Sequence, residues 1–330
     1  LKPSGRGAPL SHSGMSAARC YRLRQLQRAY CTTTPDRRRA AFRQALVRGE
    51  FVRALECHSG LSGLLAEQAR GPAGECFNAT WSSSLTSSLI KGKPDIETVN
   101  TTDRLNIVQD VLEVTSLPMM YDGDTGGLPE LFHFTVRSLE RLGVSCCIIE
   151  DKTGLKQNSL FGTERKQELE DINVFCTKIA AGKRAQVTED FAIFARMESL
   201  IAGWGQEEAL RRSRAALDAG ADGIFIHSKQ EGPDEILEFL AEYNKFRNEY
   251  PGRGYVIATP TTYNSITEVE LQSAGVDIVI HANQLLRAAL PAMMRAAESI
   301  LTHGRSKELD SHLMNVKDVL RLVDDNTGLN

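Results

Sequence analysis

The sequence predicts an α/β fold, a closed (β/α)8 TIM-type barrel, on two observations. Eight short apolar runs each exit into polar residues, and the joints between helix-like stretches and the next run repeat a glycine. In order, residues 52–56 run into Cys57-His58-Ser59-Gly60, 76–80 into Trp81-Ser82-Ser83-Ser84, 117–120 into Tyr121-Asp122-Gly123-Asp124, and 146–149 into Glu150-Asp151-Lys152. Residues 191–195 then run into Arg196-Met197-Glu198, 223–226 into His227-Ser228-Lys229, 255–258 into Thr259-Pro260-Thr261, and 277–280 into His281-Ala282-Asn283. Stretches such as 207–219 read as the intervening helices. The joints Leu142-Gly143-Val144, Ala219-Gly220-Ala221 and Ala274-Gly275-Val276 put glycine where a helix C′ residue turns left-handed. Strand and helix alternating through short joints imply a parallel sheet. In a closed barrel of eight such units, functional groups gather at the C-terminal strand ends, where the polar exits lie.

Two exits are acidic. Asp122 and Asp124 follow one apolar run; Glu150 and Asp151 follow the next. Asp-Gly and Thr-Gly-Gly favour turns on their own, and a single such site reads as a turn. Recurrence at two core strands points instead to oxygen ligands for Mg²⁺, which takes one or two carboxylates plus waters and substrate oxygens. His227 alone would read as a core histidine, but a strand exit beside Lys229 favours a ligand role. Arg196 is expected to stay clear of Glu198, on the view that the two point to opposite faces.

The chain of 330 residues, 42% hydrophobic and 25% charged, has room for one barrel of about 250 residues plus extensions. No apolar run approaches the ~20 residues of a membrane span. Seven cysteines, an odd number without a Cys-x-x-Cys pair, indicate neither a disulfide framework nor a zinc site. The two Asn-x-Thr sites at Asn78 and Asn100 are of a kind common by chance. Residues 1–35 contain no Asp or Glu but carry Lys2, Arg6, Arg19, Arg22, Arg24 and Arg28. With Met15 as the expected start, Leu23, Leu26 and Tyr30 share one helical face. Arg-rich, acid-free and amphipathic is the composition of a mitochondrial transit peptide, with a processing site near Arg28-Ala29-Tyr30-Cys31. The domain division is therefore an extension, 1–36, and a catalytic barrel with a C-terminal helical region, 37–330, destined for the mitochondrial matrix. The net charge of −3 becomes more negative without the extension, which argues against nucleic acid as a partner. Arg37-Arg38-Arg39 with Arg43 and Arg48 reads as a solvated helix face.

From residue 51 onward the chain resembles the isocitrate lyase and phosphoenolpyruvate mutase superfamily. The resemblance is carried by Asp122-x-Asp124-Thr125-Gly126, Glu150-Asp151-Lys152 with Lys156-x-Asn158-Ser159, Ala195-Arg196-Met197-Glu198, Ile201-Ala202-Gly203-Trp204-Gly205, Ile226-His227-Ser228-Lys229 and Ala282-Asn283, in that order. It implies a barrel whose last helix is exchanged between subunits of a homodimer or homotetramer, with 315–321 in the terminal helical region. It implies interconversion of phosphoenolpyruvate and phosphonopyruvate, with Mg²⁺ held directly by Asp122 and through waters by Asp124, Glu150 and Asp95. Arg196 would share the stabilisation of a pyruvate enolate. His227, Lys156, Asn158 and Ser159 would hold the migrating phosphoryl group, and Asp95 is also a candidate phosphoryl acceptor, although its turn-rich loop makes it the weakest assignment. Trp81 and Ser83 would flank the substrate, and the N–H groups of Ser84 and Leu85 would bind its carboxylate. A phosphonopyruvate decarboxylase would follow as a partner reaction. Ser84 stands where the superfamily has glycine and Gly123 where alanine is common; Gly126-Gly127-Leu128 replaces a longer turn, and His281 and Gln284 also depart from the pattern.

Three other readings compete. Hydrolysis of phosphonopyruvate uses the same scaffold, but Lys-x-Asn-Ser is the mutase form of the loop, and hydrolases carry another residue in place of Asn158. A carbon–carbon lyase needs a cysteine in that loop, and residues 152–162 contain none. A silent metabolite-binding barrel would have no use for clustered carboxylates, each of which disfavours ionisation of the others.

The N-terminal composition yields a direct expectation. A fluorescent protein fused behind residues 15–48 is expected to enter mitochondria and lose its leading residues. Diffuse cytosolic signal with an unprocessed N-terminus would discard the presequence.

Overall fold

The computed structural model describes residues 33–154 and 156–323; of the extension read as a transit peptide, 1–36, residues 1–32 lie outside the described residues. Eight parallel strands pair in chain order and close, β1 against β8, as the alternation predicts. They are β1 (Val52–Glu56), β2 (Ala79–Ser82), β3 (Met119–Asp122), β4 (Cys146–Glu150), β5 (Ala192–Met197), β6 (Gly223–Ile226), β7 (Tyr255–Ala258) and β8 (Ile278–His281). Ahead of β1 lies α1 (Pro35–Val47). Between strands run α2 (Gly60–Gln68), α3 (Ser84–Leu89), α4 (Thr101–Leu112), α5 (Pro129–Leu142), α6 (Ile172–Ala185), α7 (Gly205–Asp218), α8 (Asp234–Tyr243) and α9 (Glu268–Ser273), and α10 (Gln284–His303) follows β8. Gly143, Gly220 and Gly275 hold φ of 97°, 107° and 101°, the left-handed geometry expected of those three joints. In a separate unit, of which residues 312–323 are described, α11 (Val316–Arg321) starts at Asn315, whose side chain accepts from the Lys317 N–H.

Alternate residues on a strand face opposite ways, and that parity divides the core in two. Ala54, Ala79, Trp81, Met120, Ile148, Phe194, Phe225, Ile257 and Ile280 fill the barrel. Leu55, Tyr121, Cys147, Ile149, Ile193, Ile224 and Val256 pack beneath the helices against Val136, Phe175, Ala216 and Phe239. Two residues beyond Met120, Ile148, Phe194 and Phe225 stand Asp122, Glu150, Arg196 and His227. Parity therefore aims all four into the interior at the C-terminal mouth.

Several strands run further than their apolar letters. Trp81 and Ser82 belong to β2, Tyr121 and Asp122 to β3, Glu150 to β4, and Arg196 and Met197 to β5. Backbone pairing is indifferent to side-chain polarity, and it sets Glu150 directly beside Arg196.

Of the arginine run, Arg37 and Arg48 are exposed as expected, but the residues between them are not all solvated. Arg38 and Arg39 are buried, because α1 lies across the N-terminal end of the barrel with Phe42 and Leu46 inside the interior cluster. Arg38 donates to the Leu112 and Thr115 carbonyls at 3.1 and 2.8 Å, and Arg39 to the Glu140 carbonyl. These carbonyls lie at or just past the C-terminal ends of α4 and α5, where unpaired carbonyls attract cations. Arg43 pairs with Asp222 at 2.9 Å. Among the described residues, no helix is long and apolar enough to cross a membrane.

Candidate active site at the barrel mouth

Strand ends and the segment after β4 together enclose one cavity. Of the thirteen residues singled out in the sequence, eleven line it: Trp81, Ser83, Ser84, Leu85, Asp95, Asp122, Lys156, Asn158, Ser159, Arg196 and His227. Asp124 and Glu150 are not in the lining. Asp124 follows β3 with φ +52°, a conformation costly for a non-glycine residue, and is tied to Asp122, whose Oδ1 accepts from the Asp124 N–H at 3.1 Å.

The Lys156 ammonium draws several groups of the mouth together. It donates to Asp124 Oδ1 at 2.8 Å, to Asp122 Oδ2 at 3.2 Å and to Ser84 Oγ, and lies 3.9 Å from Asp95 Oδ1. Arg104, on α4, donates to Asp124 Oδ2 at 2.7 Å and stacks over Tyr121. Burial alone would raise the Asp122 pKa, but Lys156, Arg104 and Arg196 outweigh it and hold the carboxyl well below the usual range. For Lys156, burial disfavours the charge, and the surrounding carboxylates more than restore it, so the group is a firm cation.

A second knot joins β5 to the segment after β4. Arg196 Nε donates to Glu198 Oε1 at 2.5 Å, which corrects the expectation of opposite faces: residues two apart on a strand share one. Ser159 Oγ donates to Glu198 Oε2 at 2.5 Å and accepts from Arg196 at 2.7 Å and Lys152 at 3.0 Å. Asn158 donates to Asp95 Oδ2 at 2.9 Å. Lys156, Asn158 and Ser159 thus each reach a strand-end or loop carboxylate, and the described residues of 152–164 lie across the mouth. It bends at Gly154, φ +65°, and ends in a 3₁₀ turn, Ser159–Glu164. Asp95, the weakest assignment from sequence, is buried and lies in the cavity wall.

His227 stacks on Phe225, and its buried Nδ1 makes no hydrogen bond. Burial first, and then the Arg196 cation, lower its pKa from 6.5 to about 3, so the imidazole is neutral. Ser84 begins α3; its N–H and Oγ both donate to Asp122 Oδ2, at 3.2 and 2.8 Å. The N–H assigned to substrate carboxylate therefore already touches the metal candidate. Arg104 was missed because a buried arginine on an amphipathic helix has no distinguishing letter pattern. Glu198 was legible only as a neighbour of Arg196, and Thr259, Thr261 and Asn283, which also line the cavity, only as polar exits.

Among the described residues, no three His, Cys, Asp or Glu side chains form a ready metal cage. The donor set nevertheless suits a hard cation that keeps its waters. Both Glu150 oxygens and Asp95 Oδ1 are buried without a hydrogen bond. Lys152 and Arg196 approach Glu150 only to 3.4 and 3.7 Å, and burial outweighs them, pushing its pKa up to about 7. Orphaned buried oxygens are what metal-bound waters would satisfy.

Comparison with known proteins finds relatives of this barrel. A family model described as phosphoenolpyruvate phosphomutase matches residues 42–301. Phosphonopyruvate hydrolase from Variovorax sp. (strain Pal2) is 37% identical over 287 residues, 86% of this chain and 94% of that one. The crystal structure of phosphoenolpyruvate phosphomutase from Streptomyces platensis subsp. rosaceus matches with a TM-score of 0.77 at 36% identity, covering 86% of this chain and 94% of that one. Phosphonopyruvate hydrolase in complex with oxalate and Mg²⁺ matches with a TM-score of 0.75, at the same identity and coverage.

The depressed His227 pKa makes stability depend on pH. The unfolded chain takes up this proton near 6.5 and the folded chain only near 3, so the contribution is full above 6.5 and is lost as pH falls between those values. Urea unfolding at pH 7 and pH 5 is expected to show a loss steeper than that of His227→Gln, by up to about 1.4 kcal/mol per pH unit. Equal slopes for the two proteins would mean that His227 takes up its proton in the fold as it does in the unfolded chain.

Proposed function

The chain belongs to the phosphoenolpyruvate phosphomutase family, and from that premise we propose that it interconverts phosphoenolpyruvate and phosphonopyruvate. The phosphorus–oxygen bond of the enol phosphate breaks, leaving a pyruvate enolate, and the phosphoryl group then bonds to the enolate's terminal carbon. Asp122 would hold Mg²⁺ directly, with Asp124, Glu150 and Asp95 holding its waters. When bound, Mg²⁺ supplies a Lewis acid for the negative charge of enolate and phosphoryl oxygens. Arg196, fixed by Glu198, presents directed donors to the same charge. The neutral His227, Asn158, Ser159 and Lys156 hold the phosphoryl oxygens, and Trp81 and Ser83 flank pyruvate. The Ser84 and Leu85 N–H groups orient its carboxylate.

One observation carries the choice of mutase over hydrolase: the segment after β4 is tied down over the mouth, with Asn158 bonded to Asp95 and Ser159 bonded to Glu198. A phosphoryl group in transit must meet carbon before water, and a tied lid excludes water. The 37% identity to a phosphonopyruvate hydrolase favours the second reading, transfer of the same group to water. On chemical grounds the enol phosphate is the stable side. Net phosphonate synthesis therefore needs a following step that removes phosphonopyruvate, such as a decarboxylase, and the matrix is the proposed compartment. A homodimer or tetramer with α10 exchanged is supported by that helix's own surface. It buries only Leu286 and exposes Leu290, Met293, Met294, Ile300 and Leu301.

Phosphorus NMR separates the two readings. Phosphonopyruvate, Mg²⁺ and the protein are expected to yield phosphoenolpyruvate with little inorganic phosphate. Asn158→Ala is expected to lower turnover on the order of 10²-fold, the scale of one positioned transition-state donor. Release of mainly phosphate and pyruvate by the wild type would establish hydrolysis instead.

A further inference from the structure

The oxygens assigned to Mg²⁺ are already engaged by a cation of the chain itself. We propose that the Lys156 ammonium competes with Mg²⁺ for the Asp122–Asp124 carboxylates and latches the lid through Ser84, so that metal binding and release of Lys156 are one event. The inference rests on the reading of Asp122 as the Mg²⁺ ligand.

A carboxylate offers about four acceptor positions. Asp122 Oδ2 accepts from the Ser84 N–H, the Ser84 hydroxyl and Lys156, while Oδ1 accepts from the Asp124 N–H. Asp124 is taken on one oxygen by Lys156 and on the other by Arg104. A divalent ion on Asp122 would lie within a few ångströms of the Lys156 charge, in a site where little water screens the repulsion. Lys156 must then leave. Ser84 fixes how firmly it stays, because its Oγ accepts from the ammonium while donating to Asp122. A glycine at this position has no hydroxyl to give. Once displaced, the ammonium is on the same segment as Asn158 and Ser159 and is delivered to the phosphoryl oxygens. The residue that guards the metal site thereby becomes a substrate ligand.

Two measurements on the full chain without substrate test this. Mg²⁺ titration calorimetry is expected to show Lys156→Met binding at least ~10-fold tighter than wild type, within the usual range for coupled sites, and Ser84→Gly, which keeps the charge, several-fold tighter. In limited proteolysis, Mg²⁺ is expected to speed cleavage within 152–164 of the wild type, whereas Lys156→Met is cut fast with or without the metal. Mg²⁺ affinities unchanged or weaker in both variants, with wild-type binding intact, would overturn the competition alone. No Mg²⁺ binding by any of the three proteins would overturn the metal reading together with it.

Discussion

A charge buried at the mouth of the barrel is tenable only if an opposite charge is brought to it with hydrogen bonds to spare, and much of the local structure follows from that constraint. Asp95, Asp122, Asp124, Glu150 and Glu198 are buried or nearly so, against Arg104, Lys152, Lys156 and Arg196. The anions outnumber the cations. Glu150 carries the mismatch: its carboxylate oxygens make no hydrogen bond, and burial pushes its pKa up to about 7. The lid is held down because it contributes two of the four cations, so its closure and the charge balance of the site are a single equilibrium. Any added positive charge would shift that equilibrium, and a substrate bearing phosphoryl and carboxylate groups would shift it back.

The same cluster shows why one scaffold can serve neighbouring reactions. The groups proposed to stabilise the enolate stand on strands, where parity and register fix them: Asp122 on β3, Glu150 and Arg196 side by side on β4 and β5. The groups that govern access of water stand on the segment after β4. On the proposed mechanism, changing Asn158 would alter how long the phosphoryl group stays dry without touching the groups that would receive the enolate charge.

The barrel was legible because each strand announces itself by an apolar run, and each of three joints by a glycine that the structure finds left-handed. Strand ends were less legible. The polar exits of β2, β3, β4 and β5 are themselves paired, and hydropathy stops counting where function begins. Arg38 and Arg39 depart from the expectation because charge suggests solvent, whereas the carbonyl ends of α4 and α5 supply acceptors that no local pattern reveals. Arg104 was invisible for the same reason. The lid residues Lys156, Asn158 and Ser159 were found through family resemblance, because only the fold brings a loop near residue 156 onto carboxylates at 95, 122 and 124.

The central claim is that Asp122 anchors the charge on which the chemistry turns, and its most direct test is the Mg²⁺ dependence of phosphonopyruvate conversion in single alanine variants. Asp122→Ala is expected to lose turnover at every Mg²⁺ concentration, while Asp124→Ala and Glu150→Ala, acting through water, lose about 10- to 100-fold each. Wild-type turnover by Asp122→Ala under limiting Mg²⁺ would contradict the account.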